Sequence, residues 1–229
     1  MSKRNKLQRF ADLLSFPNVY ENNDGRSAML AGAFGAEKEL AGKWNEEHFQ
    51  KEAPLILELG CGYGEYSVAL ARLFPDKNII GIDCKGSRLW KGASIGLEEN
   101  LKNLAFLRTR IEMISFFFGK NEVSEIWITF PDPFLENYRI NRRLTSPAFL
   151  EKYREMLKPD GIIHLKTDES TLYQYSLDIL SKEKDAKVII ANDDIYAAEL
   201  PNPLLTTKTR YENKFLGEGK AIKYIQFTL

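Results

Sequence analysis

From residue 54 onward, short apolar runs alternate along the chain with segments whose apolar residues recur at helical spacing. The runs are rich in Val, Ile and Leu, which is typical of strands covered on both faces. The predicted strands are PLILELG, KNIIGID, LAFLRT, EIWITF, GIIHLKTD, KVIIAN and AIKYIQFTL. The predicted helices are YSVALARLF, SRLWKGASIGLEEN, IEMISFFF, SPAFLEKYREML and STLYQYSLDILSK. This order predicts an α/β fold with a doubly wound, mostly parallel sheet that binds ligands at the carboxyl ends of its strands.

The first 50 residues have a different pattern and predict an N-terminal arm with helical pieces, ahead of one domain over residues 51–229. KLQRFADLL is amphipathic, and GAEKELAGKWNEEHF is compatible with a second helix. The turn-forming residues of FPNVYENNDGRS separate the two. The first ten residues carry no acid and four cations, which are Lys3, Arg4, Lys6 and Arg9.

Composition restricts the kinds of partner and site. The chain has 229 residues, with Lys plus Arg equal to Asp plus Glu at 32 each, so contact with nucleic acid must come from local clusters of charge. No apolar stretch reaches the roughly 18 residues of a membrane span, and no signal-peptide core begins the chain. The only cysteines, Cys61 and Cys84, lack metal-ligand spacing. We therefore expect a cytoplasmic protein with no membrane partner and no metal. The sequence does not decide between a monomer and a homodimer.

A glycine-rich loop follows the first strand of this pattern. Gly60, Gly62 and Gly64 alternate, whereas a dinucleotide fingerprint would place its third glycine at position 65, which is Glu65. Glu58 lies just upstream, so two acids would repel a pyrophosphate. Both acids tolerate a ligand that carries an ammonium group and no phosphate. S-adenosylmethionine is such a ligand.

Asp83 ends the second strand, where an acid can accept hydrogen bonds from both hydroxyls of a ribose. Taken singly, the glycines fit a tight turn and Asp83 fits a helix cap. Together with Glu58 they favour a methyltransferase over a nicotinamide-dependent dehydrogenase.

The fourth strand ends in an aspartate between two prolines, Pro131-Asp132-Pro133. The prolines fix a non-helical turn, and the end of this strand faces the cofactor across the switch point of the sheet. An isolated turn of this kind is usually structural. Here a cationic segment suited to phosphates follows, a second acid ends the next strand in HLKTD, and a polar cluster, TKTRYENKF, comes later. The residues concerned are Arg139, Arg142, Arg143 and Asp168.

FPDPF with its Arg-rich segment, then LKTD, then TRYE, resembles the bacterial tRNA (guanine-N(7)-)-methyltransferases. The resemblance runs from about Pro54 to the C-terminus. It implies a Rossmann-like class I methyltransferase sheet with an antiparallel C-terminal strand. It also implies transfer of a methyl group from S-adenosylmethionine to N7 of guanine 46 in the tRNA variable loop. By motif it implies a catalytic role at Asp132, cofactor contacts at Glu58, Gly60, Gly62, Gly64, Asp83 and Asp132, and substrate contacts at Asp168, Thr209, Arg210, Tyr211 and Glu212.

Two positions depart from the family's pattern. The family has Trp after the second proline and a substrate-contacting Lys two residues later, where this chain has Phe134 and Glu136. We expect Arg139 to take over the contact of that lysine, on a substrate rim that also includes Glu136. The acid or amide that usually meets the adenine is absent from the end of the third strand. The adenine contact then falls to Arg110, Ile111 or Glu112, among which the sequence does not choose.

Guanine N7 has a free lone pair, so attack on the sulfonium methyl group needs positioning and negative potential rather than a base. Two other functions also fit the residues. One is methyl transfer to a small molecule, and the other is tRNA binding without catalysis.

Overall fold

The computed structural model describes residues 5–22, 24–25, 27–197, 200 and 203–229; Lys3 and Arg4 lie outside them. The strands are β1 Val19–Glu21, β2 Leu30–Ala31, β3 Glu37–Lys38, β4 Leu55–Leu59, β5 Asn78–Asp83, β6 Leu104–Arg108, β7 Val123–Thr129, β8 Leu157–Thr167, β9 Lys187–Asn192 and β10 Lys223–Thr228. The α-helices are α1 Lys6–Leu13, α2 Glu65–Leu73, α3 Gly86–Glu98, α4 Pro147–Met156, α5 Ser170–Leu180 and α6 Arg210–Gly217. Shorter helical turns are a π-helix at Trp44–Phe49 and 3₁₀ turns at Ala33–Gly35, Ile111–Phe116, Asn137–Arg142 and Pro203–Thr206.

The ten strands within the described residues form one sheet in the order β3-β2-β1-β6-β5-β4-β7-β8-β10-β9. The six central strands from β1 to β8 in this order pair in parallel, and β10 is antiparallel to both of its neighbours. The predicted alternation, the parallel centre and the antiparallel C-terminal strand are therefore confirmed. The chain runs outward on one side from β4 and on the other from β7, so the carboxyl ends of these two strands meet at the switch point.

Side-chain alternation along the central strands divides the core between the two faces of the sheet. On β7, Ile126 and Ile128 pack on one side, with residues of α4 and α5, while Trp127 packs on the other, with residues of α2 and α3. Both layers are needed because a parallel sheet has no solvated face. They hold the strand ends, and so the loops that follow them, in fixed relative positions.

The N-terminal segment belongs to the sheet, which the sequence pattern did not show. β1 pairs in parallel with β6, and Tyr20 and Trp44 are buried. The second helix predicted over GAEKELAGKWNEEHF is wrong at its start, because Glu37–Lys38 is a strand, and only Trp44–Phe49 is helical. The amphipathic first helix is confirmed as α1. The predicted domain boundary at residue 50 stays a prediction.

Candidate active site

A cavity of about 550 Å³ opens at the carboxyl ends of the central strands, at the switch point. The predicted site residues that line it are Glu58, Gly60, Gly62, Asp83, Arg110, Ile111, Asp132, Arg142, Asp168, Thr209 and Tyr211. The others lie around or behind it, and they are Gly64, Glu136, Arg139, Arg143, Arg210 and Glu212. Residues more than a hundred positions apart in the sequence thus meet at one opening.

The glycine loop turns back sharply from β4 into α2. Gly60, Gly62 and Gly64 have φ angles of 79°, 55° and 72°, a left-handed region that favours glycine. Gly64 is also confined, because a Cβ atom there would lie 2.7 Å from the Phe106 ring. The backbone N–H groups of Gly60 and Cys61 both donate to the carbonyl of β5 residue Ile82, at 2.8 and 2.9 Å. The loop is therefore tied to the neighbouring strand and leaves the cavity open above it.

Glu58 lies at the floor of the cavity and is almost completely buried. One carboxylate oxygen accepts from the Ser67 backbone N–H at 2.8 Å and from the Ser67 hydroxyl, and the other accepts from the Thr129 hydroxyl at 2.8 Å. Burial raises the pKa of Glu58 to about 7, although these hydrogen bonds lower it. Glu58 therefore joins β4 to α2 and β7, and a cationic ligand above it would favour its ionised form.

Asp83 joins the glycine loop to the start of α3. Its Oδ2 atom accepts from the Gly62 N–H at 2.9 Å, and its Oδ1 atom accepts from the Lys85 N–H at 2.7 Å. Each carboxylate oxygen retains acceptor capacity, because it has more than one lone-pair direction. Asp83 can therefore hold the loop and still accept hydrogen bonds from a ligand in the cavity.

The turn that carries Asp132 is strained at both ends. Phe130 and Phe134 have φ angles of 49° and 42°, which are uncommon for residues other than glycine. Asp132 itself is exposed at the cavity, and its carboxylate makes no hydrogen bond or ion pair with another residue in the part of the chain that the structure describes. A rigid turn thus presents one carboxylate that is available to a ligand.

Arg143 stabilises this turn by hydrogen bonds to its backbone. Its Nε atom donates to the Pro133 carbonyl at 2.9 Å, its Nη2 atom donates to the Phe134 carbonyl at 3.0 Å, and its guanidinium carbon lies 4.3 Å from the centre of the Tyr175 ring. The side chain is buried. The donors of Arg143 are directed at the backbone of the turn rather than at solvent, and the substrate contact predicted for Arg143 stays a prediction.

The other two arginines of the segment lie against Phe134, at the position of the family's tryptophan. The guanidinium carbons of Arg139 and Arg142 are 4.7 and 4.9 Å from the centre of its ring. Arg139 pairs with Glu136 at 3.6 Å, and Arg142 lies 3.9 Å from Glu112. Acids therefore offset part of the positive charge on this rim.

The three residues considered for the adenine contact follow the end of β6, at the start of the 3₁₀ turn Ile111–Phe116. Arg110 and Glu112 form an ion pair with 3.5 Å between Nη2 and Oε1. Ile111 directs its side chain towards the glycine loop, where its Cδ1 atom lies 4.0 Å from the place of a Cβ on Gly60. Ile111 thus offers the apolar surface at this side of the cavity.

The TRYE motif is mainly a helix start. Thr209 caps α6 and exchanges hydrogen bonds with Glu212 as a capping box. Glu212 is fully buried, where it accepts from Lys166 at 2.7 and 2.9 Å and from the Tyr196 hydroxyl at 2.7 Å. The Glu212 carboxylate thus holds α6 against β8, and the substrate contact predicted for it stays a prediction. Thr209 and Tyr211 remain at the cavity.

The chain was compared with known proteins. Residues 52–225 match a family model described as "Putative methyltransferase". A tRNA (guanine-N(7)-)-methyltransferase of Christiangramia forsetii is 48% identical over 230 residues, which is 100% of each chain. One of Bacteroides thetaiotaomicron is 46% identical over 226 residues, covering 99% of this chain and 86% of that one. The chain belongs to the tRNA (guanine-N(7)-)-methyltransferase family.

A more distant likeness concerns the fold alone. The crystal structure of the 16S rRNA (adenine(1408)-N(1))-methyltransferase of Catenulisporales acidiphilia has a TM-score of 0.58 at 13% identity, over 87% of this chain and 97% of that one. The predictions of the family, of the Rossmann-like class I methyltransferase fold, of the enzyme class and of S-adenosylmethionine as the cofactor are confirmed. The roles of individual site residues remain predictions.

Sequence reasoning missed one wall of the cavity in this family member. Lys220 pairs with Asp168 at 2.6 Å and lies 4.5 Å from the centre of the Phe215 ring. Tyr63 of the glycine loop lies between two guanidinium groups, those of Arg88 at 5.7 Å and Arg210 at 5.6 Å. The position of Tyr63 among the glycines was a usable signal, and Asp168 and Arg210 belong to predicted motifs, whereas Arg88, Phe215 and Lys220 belong to no motif that the sequence analysis used.

No group of three or more His, Cys, Asp and Glu residues in the described ranges could hold a metal ion. In the same ranges, no helix combines the length and the apolar character that crossing a membrane requires.

Proposed function

We propose that this protein transfers a methyl group from S-adenosylmethionine to N7 of guanine in tRNA, at position 46 of the variable loop. The observation that carries the proposal is the Asp132 carboxylate, which the Pro131–Pro133 turn presents at the switch-point cavity without a partner among the described residues. Full-length relatives that are named as tRNA (guanine-N(7)-)-methyltransferases support the choice of substrate.

The residues of the cavity fit the proposed cofactor. Asp83 has acceptor capacity for ribose hydroxyls, Ile111 offers an apolar surface for a flat ring, and the glycine loop leaves space for a ligand backbone. Glu58 adds negative charge beneath the loop when it is ionised. When bound, S-adenosylmethionine supplies an electrophilic methyl group on a sulfonium ion.

The chemistry asks little of the protein beyond position and charge. Guanine N7 attacks with its own lone pair, and the purine ring becomes cationic as the new bond forms. Asp132 can accept from the N–H edge of the base and stabilise the developing positive charge. Arg143 and the prolines keep that carboxylate in place, so little reorganisation is needed during the reaction. Asp168, held by Lys220, places a second carboxylate at the same cavity.

Binding of tRNA must rely on local charge, because the chain has equal numbers of cations and acids. Arg142 and Tyr211 line the cavity, while Arg139 lies against Phe134 and Arg210 lies against Tyr63. We expect phosphates to displace the weak pairs of Arg139 with Glu136 and of Arg142 with Glu112. A cytoplasmic location follows from a tRNA substrate and stays a prediction, as does the choice between monomer and homodimer.

The test is to incubate the purified protein with labelled S-adenosylmethionine and an unmodified tRNA transcript. We expect label in the tRNA, and chain cleavage specific for 7-methylguanine at position 46. A transcript with adenine at that position is the control and should stay unlabelled. Label that persists in the control would place the target elsewhere. Tight tRNA binding without any label would support the non-catalytic alternative. The absence of both binding and label would instead favour a small-molecule substrate.

A further inference from the structure

Tyr138 is exposed to an unusual degree for an aromatic residue. Its relative exposure is 83%, and among the aromatic residues that the structure describes only Phe34, at 87%, exceeds it. Tyr138 lies on the 3₁₀ turn Asn137–Arg142, directly after the turn that carries Asp132. A ring this exposed does not stabilise the hydrophobic core. The residues around it therefore indicate which ligand it could bind.

The geometry of the 3₁₀ turn separates Tyr138 from the neighbouring cations. With about three residues per turn, Arg139 and Arg142 share one side of the turn, and both lie against Phe134 at the cavity. Tyr138 is displaced from them by about a third of a turn. Tyr138 is not among the residues that line the cavity, and its ring is exposed to solvent.

Acids offset part of the positive charge near Tyr138, so an uncharged contact such as base stacking would add to RNA binding there. Arg139 is paired with Glu136, Arg142 lies beside Glu112, and Arg143 is buried. The segment therefore holds three arginines but offers less free positive charge than their number indicates. RNA bases stack on aromatic side chains beside cations, and this stacking depends little on net charge.

We propose that Tyr138 stacks on the base of a nucleotide next to the guanine that enters the cavity. The proposal rests on the proposed tRNA substrate. Tyr138 is then a positioning residue, because it holds the RNA strand at the opening while Asp132 faces the reacting base. Arg139 and Arg142 are close enough in the chain to bind the phosphates on either side of that nucleotide.

The test compares Tyr138→Ala with Tyr138→Phe in steady-state kinetics. Loss of one stacked base is worth about 1–3 kcal/mol, so the alanine variant should raise KM for tRNA by roughly 5- to 150-fold, with kcat at saturating tRNA near wild type. The phenylalanine variant should retain wild-type KM, because it keeps the ring. Cofactor affinity and Tm should stay unchanged in both. Phe34→Ala is the control, because Phe34 is equally exposed and lies outside the cavity lining.

Salt dependence and a fluorescent base separate stacking from charge. Tyr138→Ala should leave the slope of log affinity against log salt unchanged, whereas Arg142→Ala should lower it by roughly one unit. A 2-aminopurine placed beside the target guanine should be quenched by wild type and less by the alanine variant. Unchanged KM in Tyr138→Ala, or a loss in Tyr138→Phe equal to that of alanine, would overturn the proposal. Failure of the proposed function itself would appear earlier, as wild-type protein that does not methylate tRNA.

Discussion

At the scale of single residues, two acids with opposite surroundings meet at one cavity. Asp132 is exposed on a rigid turn, and Glu58 is buried beneath the glycine loop with hydrogen bonds to Ser67 and Thr129. The first can act on a ligand directly. The second can respond to a ligand only through its own ionisation, so the two acids call for different experiments.

Asp132→Asn keeps the shape of the side chain and removes its charge. Loss of one preorganised electrostatic contact typically costs 10²–10³-fold in kcat, and we expect a fall of about this size. Tm should stay near wild type, because Asp132 makes no hydrogen bond or ion pair within the described residues. Single-turnover methylation of tRNA at saturating cofactor measures the effect. Full activity in the variant would show that the turn is only structural.

The pKa of Glu58 predicts how stability depends on pH. Burial raises it from 4.5 to about 7 in the folded protein, so the contribution of this group is fully present below about pH 4.5 and is lost as the pH rises towards 7. Glu58→Gln cannot titrate. The Tm of the variant relative to wild type should therefore rise between pH 4.5 and 7 and then level off. A difference that stays constant over this range would contradict the raised pKa, whatever the offset from the changed hydrogen bonds.

At the scale of elements, the sequence predicted what repeats along the chain and missed what depends on distant partners. The buried strands β4 to β8 were predictable, because a strand covered on both faces is a continuous apolar run. β1, β2 and β3 have two or three residues each and owe their conformation to the sheet they join. Glu21 of β1 pairs with Arg108 of β6 across 87 positions, a contact that no local pattern contains.

The turn after β7 supplies a matched pair of variants. Arg143→Ala leaves the carbonyls of Pro133 and Phe134 without their donor, so the free energy of unfolding should fall by about 1–3 kcal/mol and kcat should fall as Asp132 loses its placement. Arg142→Ala removes an exposed neighbour, so Tm should hold while KM for tRNA rises. Thermal melts and methylation kinetics of both variants check this. An unchanged Tm with a raised KM for tRNA in Arg143→Ala would instead show that Arg143 contacts RNA.

The attachment of α6 to β8 depends on the buried pair of Lys166 and Glu212. Glu212→Ala leaves the Lys166 ammonium group buried without its partner, and such losses typically cost about 3–5 kcal/mol. We expect a marked fall in Tm, and partial recovery when Lys166→Met is added, because no buried charge then remains. Denaturant unfolding of the single and double variants measures both effects. A normal Tm with selective loss of tRNA binding would instead support the substrate role that the motif implied.

At the scale of the whole molecule, the sequence predicted where the site lies but not which contacts its side chains make. Parallel strands that alternate with helices bring Glu58, Asp83, Asp132 and Asp168 to one edge of the sheet, and this follows from the pattern alone. The direction of each side chain does not follow. Among three neighbouring arginines, nothing in the sequence marks Arg143 as the one that turns inward, because its partners are backbone carbonyls and the Tyr175 ring.

The place of β1 beside β6 has a consequence for synthesis on the ribosome. β1 leaves the exit tunnel before its neighbour exists, and 87 positions separate the paired residues Glu21 and Arg108. At roughly 5–20 residues per second, the wait is roughly 4 to 17 seconds. Throughout it β1, whose residue Tyr20 is buried in the finished protein, lacks the strand that it pairs with in parallel. In a nascent chain of this protein, β1 therefore cannot join the parallel part of the sheet until nearly half of the chain has been made.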